Sequence, residues 1–107
     1  MQLQQIRYFL AICYERNFTR AAKRCGISQP SLTMAMRRLE RAADGDLFVR
    51  SSPIHLTELG SALHPLFTQI IETVDSVHGI IQRHTANRRI KPNAAAADSA
   101  REGDAIS

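Results

Sequence analysis

The 107-residue sequence predicts a mostly α fold: three short helices, a β-hairpin and then one long helix. Three observations support this prediction. Apolar residues recur at intervals of three and four in four segments, which is the spacing of an amphipathic helix. Helix caps, glycines and turn sequences separate the segments. Two short β-like pieces, 47–50 and 54–56, flank Ser51-Ser52-Pro53, as expected for a small hairpin.

The first helix is predicted over residues 3–14, and a second, short helix is predicted between Thr19 and Gly26. Thr19 would cap the second helix, because its hydroxyl can accept a hydrogen bond from a free backbone N–H. Gly26 would end that helix, since glycine readily adopts the left-handed conformation found at helix C-termini. The buried face of the first helix is predicted to consist of Leu3, Ile6, Phe9, Leu10 and Cys13.

The third helix is predicted to start at Ser28 or Gln29 and to end near Ala43. Pro30 suits its first turn, where the missing N–H would have no partner in any case. At 100° per residue the helix has two different sides. Its apolar side holds Leu32, Ala35, Met36, Leu39 and Ala43, and the opposite side holds Pro30, Met34, Arg37, Arg38 and Arg41.

A long helix follows, with Thr57 as its predicted cap and Pro65 as a predicted kink. Its apolar stripe continues for about six turns, which is longer than a small domain would cover, so we predict a homodimer through this helix. The alternative is that the stripe folds back onto its own domain. The predicted interface residues are Leu59, Leu63, Leu66, Phe67, Ile70, Val74, Val77 and Ile81.

Composition and charge restrict the possible functions. Residues 1–60 hold nine Lys and Arg against five Asp and Glu, and such a basic domain suggests a polyanionic partner. No segment approaches the ~20 apolar residues of a membrane span, and no signal peptide is apparent, so we expect a soluble, cytoplasmic protein. Cys13 and Cys25 have no metal-ligand spacing with the histidines, and we predict neither a metal nor a cofactor. No catalytic motif is present, and an enzyme is not expected.

Two helices joined by a tight turn, the second basic on its outer side, form a helix-turn-helix. Such a motif places its second helix in the major groove of DNA, with the N-terminal residues nearest the bases. The hairpin would then be a wing that lies along the DNA backbone.

The sequence also resembles the N-terminal region of LysR-type transcriptional regulators. The resemblance covers about residues 1–85 and rests on "LQQIRYFLAI", "NFTRAAKRCGISQPSLT", "RRLE", "LFVR" and "LTELG" in this order. It implies two parts: a winged helix-turn-helix (1–58) and a linker and dimerisation helix (59–88). The composition of the remaining residues, 89–107, predicts a disordered tail. The resemblance also implies sequence-specific binding of double-stranded DNA as a dimeric regulator.

The candidate DNA contacts fall into two groups, and each has an ordinary alternative. For base contacts the candidates are Ser28, Gln29, Pro30, Ser31, Thr33 and Met34. For phosphate contacts they are Thr19, Arg20, Lys23, Arg37, Arg38 and Arg50. In the alternative interpretation the arginines form a solvated helix face, and Thr19 and Ser28 act mainly as caps.

Several positions depart from the family pattern. Met34 and Ala35 stand where the family often has Arg and Gln, the wing is poor in basic residues, and Asp44 stands where the family usually has glycine. Family members continue into an effector-binding domain, which the 107 residues of this sequence do not include. We therefore expect no inducer site in this chain. A second hypothesis follows: a truncated protein that heterodimerises with a full-length regulator and antagonises it.

Overall fold

The structure is a computed structural model and describes residues 1–90, with side chains through residue 88. Four α-helices and one hairpin follow the predicted order, which confirms the fold class. The helices are α1 (Leu3–Glu15), α2 (Phe18–Cys25), α3 (Gln29–Ala43) and α4 (Glu58–Ile90), and the strands are β1 (Phe48–Val49) and β2 (His55–Leu56). The predicted tail from residue 91 onward lies outside the described residues.

The starts of α2, α3 and α4 each have a local cause. The Ser28 hydroxyl oxygen accepts from the backbone N–H of Ser31 (3.2 Å) and caps α3, with Pro30 in the first turn as predicted. The Thr57 hydroxyl oxygen likewise accepts from the N–H of Gly60 (3.0 Å) at the start of α4. For α2 the prediction was wrong: Asn17 is the cap, and its side chain accepts from the N–H of Arg20 (2.8 Å). Asparagine is a strong capping residue, and with Asn17 as the cap α2 starts at Phe18, one residue before Thr19.

The turns between helices use left-handed residues. Gly26 has φ +71° and ends α2, and the N–H of the next residue, Ile27, donates to the carbonyl of Ala22 (3.0 Å). Asp44 has φ +55° and ends α3. This is the position where glycine was expected, and aspartate is one of the few other residues that tolerate the left-handed region.

The hydrophobic core of residues 1–72 is centred on Phe9 of α1. Its ring lies 5.2 Å from the rings of both Phe48 and Phe67, measured between centroids, so one side chain joins α1 to the hairpin and to α4. Ile12 is fully buried beside it, whereas Leu3, predicted in the buried face, is largely exposed. The side chains that complete the core are Ile6, Ala21, Ala22, Leu32, Met36, Leu39 and Leu47.

The hairpin is short and antiparallel, and it pairs Phe48 with Leu56 and Val49 with His55. Each strand has two residues, fewer than the sequence predicted. The backbone at Leu47 ties the hairpin to α4, because its carbonyl accepts from the N–H of Thr57 (3.0 Å). Gly60 is needed there, since a Cβ at this position would overlap the same carbonyl oxygen. The start of α4 and the base of the hairpin are therefore fixed against each other.

Helix α4 contributes to two compact units, residues 1–72 and the residues from 73 onward. In the first unit Phe67 is only 4% exposed and belongs to the core, so its assignment to a dimer interface is corrected. Leu59, Leu63 and Ile70 also pack against this core and are partly buried. The first turns of α4 complete the N-terminal domain, as the fold-back alternative predicts, because Phe9 would otherwise be open on one side.

Candidate nucleic-acid interface

The first turns of α3 form an exposed surface. We call this surface the recognition face and define it as the outward residues of α3 from its cap to its third turn: Ser28, Gln29, Pro30, Ser31, Thr33, Met34, Arg37 and Arg38. The face contains no acidic residue. All its members are exposed except Thr33, which is partly buried.

A hydrogen bond between the two helices of the motif fixes the start of this face. The hydroxyl of Thr19 on α2 donates to Oε1 of Gln29 on α3 (2.9 Å). The bond holds the carboxamide at the surface and leaves its NH₂ group free to donate outward. Thr19 therefore orients Gln29, a function that the sequence did not predict for it.

The hydroxyls of the cap form a second fixed group. Ser28 donates to Oγ of Ser31 (2.9 Å) while its own oxygen accepts from the Ser31 backbone. Both residues lie at the positive N-terminal end of α3, where the backbone dipoles attract a phosphate oxygen. Ser28 is thus both a cap, as in the alternative interpretation, and part of the exposed surface.

The predicted phosphate-contact arginines and lysine are not equivalent. Among residues 1–90, Lys23, Arg37 and Arg38 are exposed and have no ion pair. Arg20 is bound at the surface instead: its guanidinium donates to the backbone carbonyl of Glu15 (2.9 Å) and lies 3.5 Å from the Glu15 carboxylate. The cations available for an external anion are therefore mainly those of α3 and Lys23.

A second arginine, Arg24, shares the Glu15 carboxylate. Its Nη1 lies 3.2 Å from Oε2 of Glu15, and its guanidinium lies 4.4 Å from the centroid of the Tyr14 ring. Both contacts join the end of α1 to α2 at the surface.

Arg50 of the hairpin makes an ion pair that the sequence did not predict. Its Nη2 donates to Oε1 of Glu40 (2.8 Å) and its Nη1 to Oε2 (3.2 Å), so the two groups form a bidentate pair. Glu40 is 6% exposed and also accepts from the backbone N–H of Leu47 (2.8 Å). The pair thus links α3 to both ends of the β1 segment.

The environment keeps Glu40 ionised. Burial raises the pKa of its carboxyl, but the hydrogen bonds from Arg50 and from the N–H groups of Leu47 and Phe48, with the positive charge of Arg50, outweigh burial and lower the pKa. The sequence carried one signal for this site. Glu40 lies four residues after Met36 and three before Ala43, within the apolar side of α3, and an acid in that position needs a partner.

Two depressions border the recognition face. One, of about 260 Å³, lies between α3 and the hairpin, and Gln29, Arg37, Arg50 and Ser51 are among its lining residues. The other, of about 360 Å³, is shallow and lies on α3 itself. Its lining residues are Gln29, Pro30, Thr33, Met34 and Arg37. The structure thus brings four of the predicted base-contact residues together with Arg37, and two of these four, Gln29 and Thr33, also lie beside the hairpin.

Cys13 and Cys25 are partly buried and form no disulfide. Burial raises the pKa of Cys13 to about 12, and it also raises the pKa of Cys25, so both remain thiols at neutral pH. Among residues 1–90, no group of three His, Cys, Asp or Glu side chains has a metal-binding arrangement. Within the same residues, no helix is long and apolar enough to cross a membrane.

The paired helices, the exposed basic α3 and the hairpin define a winged helix-turn-helix domain of the DNA-binding class. Residues 3–61, more than half of the chain, match the family described as "Bacterial regulatory helix-turn-helix protein, lysR family". The chain therefore belongs to the LysR family, as its sequence motifs indicated.

Curated relatives and solved structures agree with this family. The chain is 43% identical over 77 residues to the regulator BudR of Klebsiella aerogenes, covering 71% of this chain and 54% of BudR. It is 36% identical over 90 residues to the probable cat1 operon transcriptional activator of Acinetobacter lwoffii, covering 83% of this chain and 30% of the activator. The chain thus spans about half the length of the first relative and less than a third of the second.

The solved structures that the domain resembles include complexes of DNA-binding domains with DNA. The BenM DNA-binding domain with catB site 1 DNA has a TM-score of 0.75 and 30% identity, over 79% of this chain and 97% of the BenM chain. The CbnR DNA-binding domain with DNA has a TM-score of 0.70 and 34% identity, over 80% of this chain and 99% of the CbnR chain.

Proposed function

We propose that this protein binds double-stranded DNA in a sequence-specific way, as a homodimeric transcriptional regulator. The observation that carries the proposal is the recognition face: an acid-free surface at the N-terminal end of α3 that combines fixed amide and hydroxyl groups with unpaired arginines. Base edges require such donors and acceptors, and the phosphate backbone requires the cations. The DNA complexes of the structurally similar BenM and CbnR domains support this proposal.

In this proposal α3 enters the major groove with its first turn toward the bases. Gln29 donates through its free NH₂ group, and its Oε1 keeps a second lone pair for a bidentate contact of the kind that amides make with adenine. Ser28, Ser31 and Thr33 contact bases or nearby phosphates. Their short side chains let the backbone of the helix approach the DNA closely.

Phosphate contacts are assigned to Lys23, Arg37 and Arg38, with Thr19 and Arg20 at the edge of the surface. Arg50 has a double function. Its contacts with Glu40 fix the hairpin, and it also lines the depression between α3 and the hairpin. Its side chain is 30% exposed, which leaves surface for one phosphate oxygen.

Dimerisation is assigned to the part of α4 beyond the N-terminal unit. Val77, Ile80 and Ile81 are 48%, 61% and 56% exposed, and Val74 is partly buried. These side chains recur at three and four residues and form one apolar stripe. A second copy of the helix would cover that stripe, and a dimer would match two DNA half-sites. In the first unit Leu66, at 55% exposure, is the predicted interface residue that the core leaves open.

The proposal is tested by selecting binding sites from random duplexes with the purified chain and measuring affinity for the selected and a scrambled duplex. Gln29→Ala should cost about 1–3 kcal/mol on the selected duplex and much less on the scrambled one. The control is Gln4→Ala, which removes an exposed amide from α1 and should change neither affinity. Equal losses on both duplexes would mean that Gln29 makes no base contact.

Salt dependence tests the phosphate contacts separately. Affinity should fall steeply with salt, and Lys23→Ala or Arg37→Ala should each reduce the slope of log K against log salt by about one. An unchanged slope in either variant would remove that residue from the phosphate contacts.

The apolar stripe of α4 also fits the second hypothesis, pairing with a longer LysR-type regulator that the chain would antagonise. To distinguish the homodimer from the mixed dimer, this chain is tagged, co-expressed with such a regulator and purified through the tag. Recovery of mixed dimers that bind the selected duplex less tightly than either homodimer supports antagonism. Recovery of self-dimers alone, bound tightly to the selected duplex, supports the first proposal.

A further inference from the structure

Met34 gives the recognition face an apolar part. Its side chain is 51% exposed, and with Pro30 and Thr33 it lines the shallow depression of about 360 Å³ on α3. Gln29 and Arg37 lie at the border of the same depression. The surface that we propose faces the bases therefore contains an apolar patch beside its hydrogen-bonding groups.

Helix geometry orders these side chains into two adjacent rows. Pro30 and Met34 are four residues apart and lie one above the other on the helix surface, and Gln29, Thr33 and Arg37 form a polar row next to them. A base edge placed against α3 would meet apolar surface from one row and amide or guanidinium groups from the other. The patch is thus continuous with the proposed DNA interface and has one cation, Arg37, but no acid at its border.

The chemistry of the major groove selects the occupant of this patch. Base edges there present hydrogen-bond donors and acceptors, and the only apolar group among them is the C5-methyl of thymine. Methionine offers no donor and only a weak acceptor, so it gains little from the other bases, and its flexible thioether can conform to a methyl group. We infer that Met34, supported by Pro30, contacts a thymine methyl group and is a specificity-determining residue for that base.

This inference rests on the proposed function and names what one part of the interface recognises. It also accounts for Met34 in a position where the family often has arginine.

Uracil provides a direct test, because it differs from thymine only by the C5-methyl group. Each thymine of the selected duplex is replaced by uracil, one position at a time, and the dissociation constant of the full chain is measured. If the protein binds as a dimer, one thymine in each half-site should be sensitive, and replacing it should weaken binding about fourfold. This factor corresponds to the ~0.8 kcal/mol that is lost when one buried CH₂-sized group is removed. At the other thymines the replacement should have little effect.

Variants of the protein connect that position to Met34. In Met34→Ala the same thymine-to-uracil replacement should change binding by less than about 1.5-fold, since the apolar contact is already lost. Leu3→Ala, which truncates a side chain of similar exposure on α1, should retain the full fourfold effect. Circular dichroism of both variants checks that they remain folded.

The outcomes separate this inference from the proposed function. If no thymine is sensitive to uracil in the unaltered protein, or if the sensitivity persists in Met34→Ala, Met34 makes no methyl contact although specific DNA binding stands. If the selection yields no preferred duplex at all, the proposed function fails and the inference fails with it.

Discussion

The ion pair between Glu40 and Arg50 should be one of the largest single polar contributions to the stability of the N-terminal domain. The perturbation that tests it is Glu40→Gln, which keeps the shape of the side chain and removes its charge. Glutamine can still accept from the N–H of Leu47, but its NH₂ group would face the guanidinium in place of a carboxylate oxygen. Two charge-assisted hydrogen bonds, at 2.8 and 3.2 Å, are therefore weakened or lost.

The expected magnitude follows from the burial of the two partners. Breaking a fully buried pair by removing one partner costs about 3–5 kcal/mol. Here Glu40 is 6% exposed, but the Arg50 side chain is 30% exposed and regains part of its hydration when unpaired. We therefore expect Glu40→Gln to lower the free energy of unfolding by about 2–3 kcal/mol at neutral pH.

The loss should depend on pH in a defined direction. The pKa of Glu40 in the folded protein lies below its ordinary value of 4.5, so the stabilisation is complete above that value and is lost as the pH falls through the lower folded pKa. The difference in stability between the unaltered protein and Glu40→Gln should therefore be constant near neutral pH and should shrink in the acid range.

The measurement is urea unfolding followed by helical circular dichroism, at one fixed protein concentration because dimerisation would contribute to apparent stability. Glu58→Gln is the control: it neutralises an exposed acid in the first turn of α4 and should cost less than about 1 kcal/mol. A loss below about 0.5 kcal/mol for Glu40→Gln, or a difference that stays constant into the acid range, would refute the reasoning.

Three further predictions concern the fold. Phe67→Ala should cost about 3–5 kcal/mol in urea unfolding because it empties part of the core. Leu3→Ala, at an exposed position of α1 outside the proposed dimer interface, should cost less than about 1 kcal/mol, and similar losses for the two variants would contradict the placement of Phe67. Gly60→Ala should destabilise the protein by about 2 kcal/mol or more, because the added Cβ would overlap a backbone carbonyl oxygen. Gly79→Ala has room for a Cβ and should stabilise α4 by up to about 1 kcal/mol. Thermal melts of the two variants test this difference. Asn17→Ala should cost about 1 kcal/mol through loss of the α2 cap, and an unchanged melting temperature would reject that assignment.

Local signals in the sequence predicted most of the helical fold. The spacing of apolar residues located the helices, and Ser28 with Pro30 fixed the start of α3 to within a residue, because caps and first-turn prolines act over three or four neighbouring residues. The cap of α2 was predicted wrongly, because Asn17 and Thr19 lie two residues apart and both are good capping residues. Only the backbone conformation distinguishes them.

The candidate DNA-binding surface was predictable in outline but not in its connections. The side of α3 that carries Gln29, Met34 and Arg37 follows from helical periodicity and the position of the turn. The hydrogen bond from Thr19 to Gln29 joins two helices, and its geometry depends on the angle at which they pack. No periodic pattern within either helix encodes that angle.

The sequence by itself determined the order of the elements, the exposed basic side of α3 and the family, because these depend on residues close together in the chain. Only the tertiary structure decided which side chains meet across the chain. Glu40 and Arg50 are ten residues apart, and Phe9 and Phe67 are separated by almost the whole domain. Phe67 shares the periodic stripe of α4 with residues that remain exposed, such as Leu66, and periodicity assigns residues to a face without saying what covers it. Whether a side chain is buried depends on what packs against it, and the ring of Phe67 packs against Phe9 of α1.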